Sequence, residues 1–264
     1  MTITLTFLGA GSAFTTAAYY QSNLLLTADN GRHMLIDCGS DIRFSLAEWS
    51  LGHEEAHAAI QALYVSHLHS DHIGGLEWLA FKSYFSPGME RPTLFLVEEL
   101  ADRLWENALR GGLESIEEKQ MGLSDYFAPE IVTPGQPFYW ENICLTPFRT
   151  VHVNNPQYPM YSYGLVIQER GKEEAFIFTA DTILHPELLQ LFEQWVPRTR
   201  AIFQDCETTA VPSGVHAHYT ELRTLPLPLR RKMWLYHYNP HPPYHPEEEG
   251  FLGFVRKGQH FRLG

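Results

Sequence analysis

The stretch Ser66-His67-Leu68-His69-Ser70-Asp71-His72, followed by Gly74-Gly75, constrains this chain more than any other. Three imidazoles and a carboxylate fall within six residues, directly after the apolar run Ala62-Leu63-Tyr64-Val65. That run reads as a buried strand and residues 76–85 as a helix, so the polar groups crowd a strand tip. Packed there they would repel one another and be poorly solvated without a cation. Neutral imidazole and carboxylate are the ligand types that suit zinc and neighbouring divalent transition metals. A solvated histidine-rich loop is the plainer alternative.

Further candidate ligands recur just past the ends of apolar runs. His152 follows residues 143–148, Asp181 follows 176–180 and His237 follows 233–236. A lone histidine or aspartate of this kind reads as a hydrogen-bonded loop residue. Three in this order, after the first cluster, would converge on His67 to His72 if their strands share one sheet edge.

Other strands are expected at residues 2–8, 23–27, 34–36, 93–97, 138–140, 162–167 and 201–203, with an edge strand at 259–262. Helices are expected over 42–49, 98–109, 186–195 and 219–225, the second ended by Gly111-Gly112. Residues 113–130 could form a short helix or a lid, and 239–250, rich in Pro and His, reads as irregular. Gly9-Ala10-Gly11-Ser12 is a tight turn that lacks the lysine and spacing of a phosphate loop. Many short strands with helices between them suit two sheets packed face to face and covered by helices, in one domain over residues 1–264.

Charge narrows the function. The 264 residues carry 19 Lys+Arg against 31 Asp+Glu, a formal charge of −12. Affinity for nucleic acid rests largely on cationic side chains neutralising phosphates, so large RNA or DNA is disfavoured. Bound divalent cations would offset the charge locally and leave a small anionic substrate open. No apolar run is long enough for a membrane span, and the start Met1-Thr2-Ile3-Thr4-Leu5 lacks the features of an export signal. Cys38, Cys144 and Cys206 are odd in number and widely spaced, which suits reduced thiols and a cytoplasmic location.

The spacing His67-x-His69-x-Asp71-His72 resembles the signature of metallo-β-lactamase-fold hydrolases, and the likeness runs from Phe7-Leu8-Gly9-Ala10-Gly11-Ser12 to His237. It implies a four-layer αββα sandwich of two mixed sheets with a dinuclear metal site. Carried over by position, His67, His69 and His152 would hold one metal and Asp71, His72 and His237 the other, with Asp181 bridging them. Zinc is the default from ligand type, and manganese or iron would use the same set. Asp37 matches an aspartate that orients the ligand loop; its alternative is a helix cap near Asp41.

Within that superfamily the opening Phe-Leu-Gly-Ala-Gly-Ser-Ala-Phe is similar to the ribonuclease Z and phosphodiesterase branch. That branch carries a histidine followed five residues later by a glutamate, which His216 and Glu221 reproduce. Glu207 resembles the acidic partner of this histidine, and His218 competes with His216 for the role of proton donor. The resemblance implies a metal-bridging hydroxide as nucleophile, oriented by Asp71 or Asp181. His216 would stabilise the oxyanion or protonate the leaving alkoxide. The basic arm that grips transfer RNA is missing, so a small phosphodiester, such as a cyclic nucleotide, is the expected substrate.

Two other readings stay open. A lactonase or thioesterase would use the same site on a carboxylic ester, with Tyr219 or Tyr236 as oxyanion partner. A metal-binding sensor module, or an iron-carrying redox protein, would use it without hydrolysis. Tyr19-Tyr20 and residues 158–163 could stack a base, although packing is their commoner use. His33, His53, His57, His185, His241, His245 and His260 read as surface or packing residues, with His241 and His245 open to an accessory metal contact. Dimers are common in the resembled family, which extends to this chain the expectation of a homodimer.

Overall fold

The computed structural model describes residues 3–51 and 56–263; the expectation for His53 lies outside the described residues. Among the described residues sixteen strands run in chain order as β1 (Ile3–Phe7), β2 (Leu24–Thr27), β3 (His33–Ile36), β4 (Ile60–Tyr64), β5 (Thr93–Val97), β6 (Ser115–Ile116), β7 (Lys119–Gln120), β8 (Ala128–Val132), β9 (Phe138–Trp140), β10 (Ile143–Val153), β11 (Met160–Glu169), β12 (Ala175–Phe178), β13 (Thr199–Asp205), β14 (Met233–Tyr236), β15 (Gly253–Phe254) and β16 (His260–Leu263). Two seven-stranded sheets result, ordered β16-β1-β2-β3-β4-β5-β8 and β15-β14-β13-β12-β11-β10-β9, while β6 and β7 form a separate hairpin.

Side chains alternate across a strand, and this period lets the second sheet serve two cores. Phe176, Phe178, Ala201 and Phe203 join the core shared with the first sheet. Their neighbours Ala175, Ile177 and Ile202 point the other way, into a core with Leu188 and Phe192 of the helix Pro186–Trp195. On the first sheet, helices Ile42–Trp49 and Leu76–Phe85 bury Ile42, Leu46, Leu76, Leu79 and Ala80. This is the expected αββα sandwich.

Both sheets are mixed, and their parallel segments aim at the site. β3, β4 and β5 run parallel in one sheet, and β12, β13 and β14 in the other. Asp37, the His67–His72 loop, Asp181, Asp205 and His237 all lie at or just past the C-terminal ends of these strands.

Two expectations need correction and one needs extending. The helix after β5 does not stop at Gly111-Gly112: it continues through a wider π turn at Trp105–Leu109 and on through Arg110–Leu113. Arg110 ties Glu106 and Glu114 across these turns, while the bare Gly112 admits the Glu77 carboxylate. Residues 113–130 hold more than the short helix expected there: the β6–β7 hairpin comes first, then the helical turn Leu123–Tyr126 and the start of β8. His152 does not follow its strand: β10 runs to Val153, with a register shift between Val151 and Val153. A bulge of this kind re-aims a side chain, and here it lies at a candidate ligand.

Candidate metal centre

Three buried turns build the site. Asp37, Ala180 and His237 each follow the end of a parallel strand with φ of 65°, 54° and 63°, in the left-handed region that non-glycine residues seldom occupy. Strain of this kind persists where surrounding structure over-determines it. At Asp37 that structure is explicit. Its carboxylate accepts the Ser66 amide at 2.8 Å, the Ser66 hydroxyl at 2.7 Å and the His72 Nδ1–H at 2.8 Å. The last bond leaves His72 Nε2 facing away from Asp37, towards Asp71 and Asp181.

Two clusters meet there. In one, His72 Nε2 lies 3.3 Å from Asp71 Oδ2 and 3.2 Å from Asp181 Oδ2, and His237 Nε2 lies 3.2 and 3.3 Å from the same two oxygens. In the other, His69 Nδ1 and His152 Nε2 are 2.9 Å apart, with His67 close by. Asp181 Oδ2 sits between the clusters, also 3.8 Å from His67 Nε2 and 3.9 Å from His152 Nε2. The ligand atoms within each cluster lie within 4.8 Å of one another.

The donor set fits cations. His67 Nε2, His72 Nε2 and Asp181 Oδ1 are buried without a hydrogen-bond partner among the described residues. Leaving such atoms unsatisfied costs about 1–3 kcal/mol each, a cost that coordination removes. Histidine and aspartate separations near 3.2–3.3 Å in one group match ligands sharing one small ion.

Electrostatics follow the same division. Burial alone would raise Asp71 and Asp181, but the His72 and His237 imidazoles hold both well below the usual carboxylate range. Burial opposes protonation of His72 and His237 too, yet Asp181 and its neighbours override it, lifting His72 well above the ordinary value and His237 to about 10. Across the site burial wins, depressing His67 and His69 and taking His152 to about 4.

The proton-donor region departs from expectation. The carboxylate on His216 belongs to Asp205, whose Oδ2 accepts His216 Nδ1–H at 2.8 Å, and not to Glu207. Glu207 turns away to accept the Thr209 hydroxyl at 2.6 Å and the Ser213 amide and hydroxyl. His218 is also spent elsewhere: it caps the turn Tyr219–Leu222 through Thr220, and its Nε2 meets the Thr209 carbonyl at 2.8 Å. Glu221 is exposed on that turn. His216 faces the centre, its ring 4.9 Å from His152 and 4.7 Å from His237, with its side chain 18% exposed. Asp205 carries no clear signal in the sequence because β13 runs on to residue 205, whereas the apolar run stops at Phe203. A strand read two residues longer would have exposed the signal.

The remaining candidates are structural. Tyr219 is buried against Tyr244, and Tyr236 is buried against Phe178, so neither offers an exposed hydroxyl. His57 is buried near Ser86, and His185 precedes the helix Pro186–Trp195 and meets Glu187. Among the described residues neither His241 nor His245 joins a metal-type cluster. No helix among the described residues is long and apolar enough to cross a membrane.

Comparison with known proteins places this geometry. The profile of the Anti-Pycsar protein Apyc1 family matches residues 3–261. The chain belongs to that family. An Apyc1 protein of Bacillus phage vB_BsuM-Goe3 is 31% identical over 271 residues, covering 99% of each chain. The fold is that of metallo-β-lactamase proteins: YhfI from Bacillus subtilis superposes with a TM-score of 0.74 at 17% identity, covering 100% of both chains. A diphosphatase of the PhnP family gives 0.70 at 17% identity, covering 99% of this chain and 98% of its own. In this chain the histidine and His/Asp clusters sit on a metallo-β-lactamase sandwich.

Proposed function

We propose that this Apyc1-family chain is a metal-dependent phosphodiesterase acting on a small phosphodiester, with a cyclic nucleotide as the preferred class. The observation that carries the reading is a histidine held by a carboxylate, His216 on Asp205, facing a three-histidine cluster and a His/Asp cluster whose Asp181 lies between the two. His67, His69 and His152 would hold one divalent cation and Asp71, His72 and His237 the second, with Asp181 between them; zinc is the first choice. Such cations supply an activated water and polarise the phosphoryl group.

The chain's own residues supply the rest. Asp71 and Asp181, kept ionised, orient the attacking water. Asp205 accepts the Nδ1 proton of His216 and so leaves Nε2 to carry the second proton. Burial would lower His216, but the Asp205 carboxylate holds it above its ordinary value. The imidazolium is therefore available to protonate a leaving alkoxide, the step that distinguishes a poor leaving group from a good one. A diphosphatase among the neighbours in fold agrees with phosphorus chemistry on this scaffold. A formal charge of −12 sets a polyanionic nucleic acid against the reading and leaves a small anion near the cations in its favour.

Turnover of a 3′,5′-cyclic nucleotide, whose alkoxide needs a proton to leave, by zinc-loaded protein and by His216→Ala tests the reading, with a homoserine lactone and a thioester alongside. Phosphodiester cleavage that falls in the variant supports it. Lactone or thioester turnover that survives the substitution would favour carboxylic-ester hydrolysis, and no turnover with metals bound would favour a sensor module.

A further inference from the structure

A cavity of about 600 Å³ lies outside the metal centre, beside the Pro-rich segment that follows His237. A second, of about 540 Å³, shares Glu247, Phe254, Arg256 and Lys257 with it. Volumes of this size take small molecules of nucleotide dimensions. Aromatic rings form the first cavity's walls. Tyr238 meets Tyr19 edge-on at 5.9 Å and Phe254 at 4.6 Å, and its hydroxyl is spent on the Val255 carbonyl. Tyr244 is backed on one face by Tyr219, in parallel contact at 4.0 Å.

Two cations, Arg256 and Lys257, face one carboxylate in the cavity lining, and the segment that carries them is basic. Residues 254–263 hold Arg256, Lys257, His260 and Arg262 and no carboxylate, in a chain of formal charge −12. Lys257 is committed to Glu48 at 2.7 Å and to the Ala17 carbonyl. Arg256 is exposed, and among the described residues its guanidinium has no ion pair or ring partner. Burial raises the Tyr238 hydroxyl to about 12, and Arg256 is close enough to oppose that rise. Glu247 is the one acid in the wall.

We infer that this cavity is a second ligand site, for a nucleoside 5′-monophosphate: the base packs on the Tyr19 and Tyr244 rings and the phosphate pairs with Arg256. Aromatic faces accept any nucleobase, and a free guanidinium is the side chain best shaped for a phosphate oxygen pair. The inference does not depend on the phosphodiesterase reading, because none of these groups belongs to the clusters around Asp181.

Calorimetric binding of AMP to the full-length chain, zinc-loaded and chelator-stripped, tests it. Saturable binding is expected in both forms, weakened at least about tenfold by Arg256→Glu, since a charge-assisted phosphate contact is lost. Glu247→Gln should tighten binding, and Asp181→Ala should leave it unchanged. AMP should bind more tightly than ribose 5-phosphate. No binding to the stripped protein, or binding untouched by Arg256→Glu, overturns the site; equal binding of ribose 5-phosphate overturns its aromatic half. Phosphodiester turnover by Arg256→Glu within about twofold of wild type keeps this test separate from the catalytic one. If no phosphodiester is cleaved at all, the AMP result still stands by itself.

Discussion

Asp205 holds one histidine and faces a second. Its Oδ2 accepts His216 Nδ1–H at 2.8 Å, and its Oδ1 lies 3.4 Å from His237 Nδ1. Oδ2 also accepts the Thr182 amide at 2.8 Å, one residue beyond Asp181. One buried carboxylate therefore orients the candidate acid and the turn that carries Asp181, and lies beside a candidate ligand. Asp205→Asn should lower kcat about 10²-fold or more, the scale of a misdirected general acid. The alkaline limb of the rate profile should also move to lower pH, because the charge that holds His216 up is gone. Glu207→Gln should instead cost about 1 kcal/mol of stability with turnover retained. Paired pH–rate profiles and thermal melts decide between the two acids.

His216 and His218 divide in the same way. His216→Ala should reduce turnover about 10²–10⁴-fold. His218→Ala removes a helix cap worth about 1 kcal/mol and should lower Tm while turnover stays within a few-fold. Equal kinetic losses in the two variants would contradict the assignment.

Asp37 should act on metal affinity at a distance. It holds Ser66 and the far side of His72, so Asp37→Ala leaves buried donors without an acceptor. Outer-shell losses of this kind weaken metal binding about 10–100-fold. Competition against a chromogenic chelator measures it; unchanged affinity would remove Asp37 from the account.

The metal-free chain should be most stable near pH 6.5. His237 holds its proton up to about 10 when folded, against an ordinary histidine value near 6.5. Its stabilising contribution, and that of the similarly raised His72, is complete below about 6.5 and is lost as pH rises towards 10. His152 is depressed to about 4, with His67 also lowered, so acidification from about 6.5 to 4 protonates the unfolded chain first and destabilises the fold. Cations would take the place of the protons on His72 and His237, so zinc should flatten the alkaline loss. Urea midpoints across pH, with and without zinc, show whether it does.

Much of this was legible in the residues because regular elements and metal motifs leave periodic or clustered signals. The helix Leu76–Phe85 and the strand Thr93–Val97 have the bounds expected from sequence, since strong apolar patterns end at clear turn residues there. The departures from expectation fall where tertiary context decides. Gly111 and Gly112 look like a helix stop, but packing on Glu77 and the Arg110 ion pairs carry the helix past them. Glu207 and Asp205 are two residues apart, and only the length of β13 decides which of them meets His216. The left-handed turns at Asp37, Ala180 and His237 leave no mark in composition, because they are set by what surrounds them.

Zinc titration of the stripped protein, followed by cleavage of a 3′,5′-cyclic nucleotide, tests the central claim most directly. The account predicts activity that rises to a plateau at two equivalents per chain and is abolished by Asp181→Ala. Cleavage by the stripped protein, or a fully loaded protein that cleaves no phosphodiester, would contradict it.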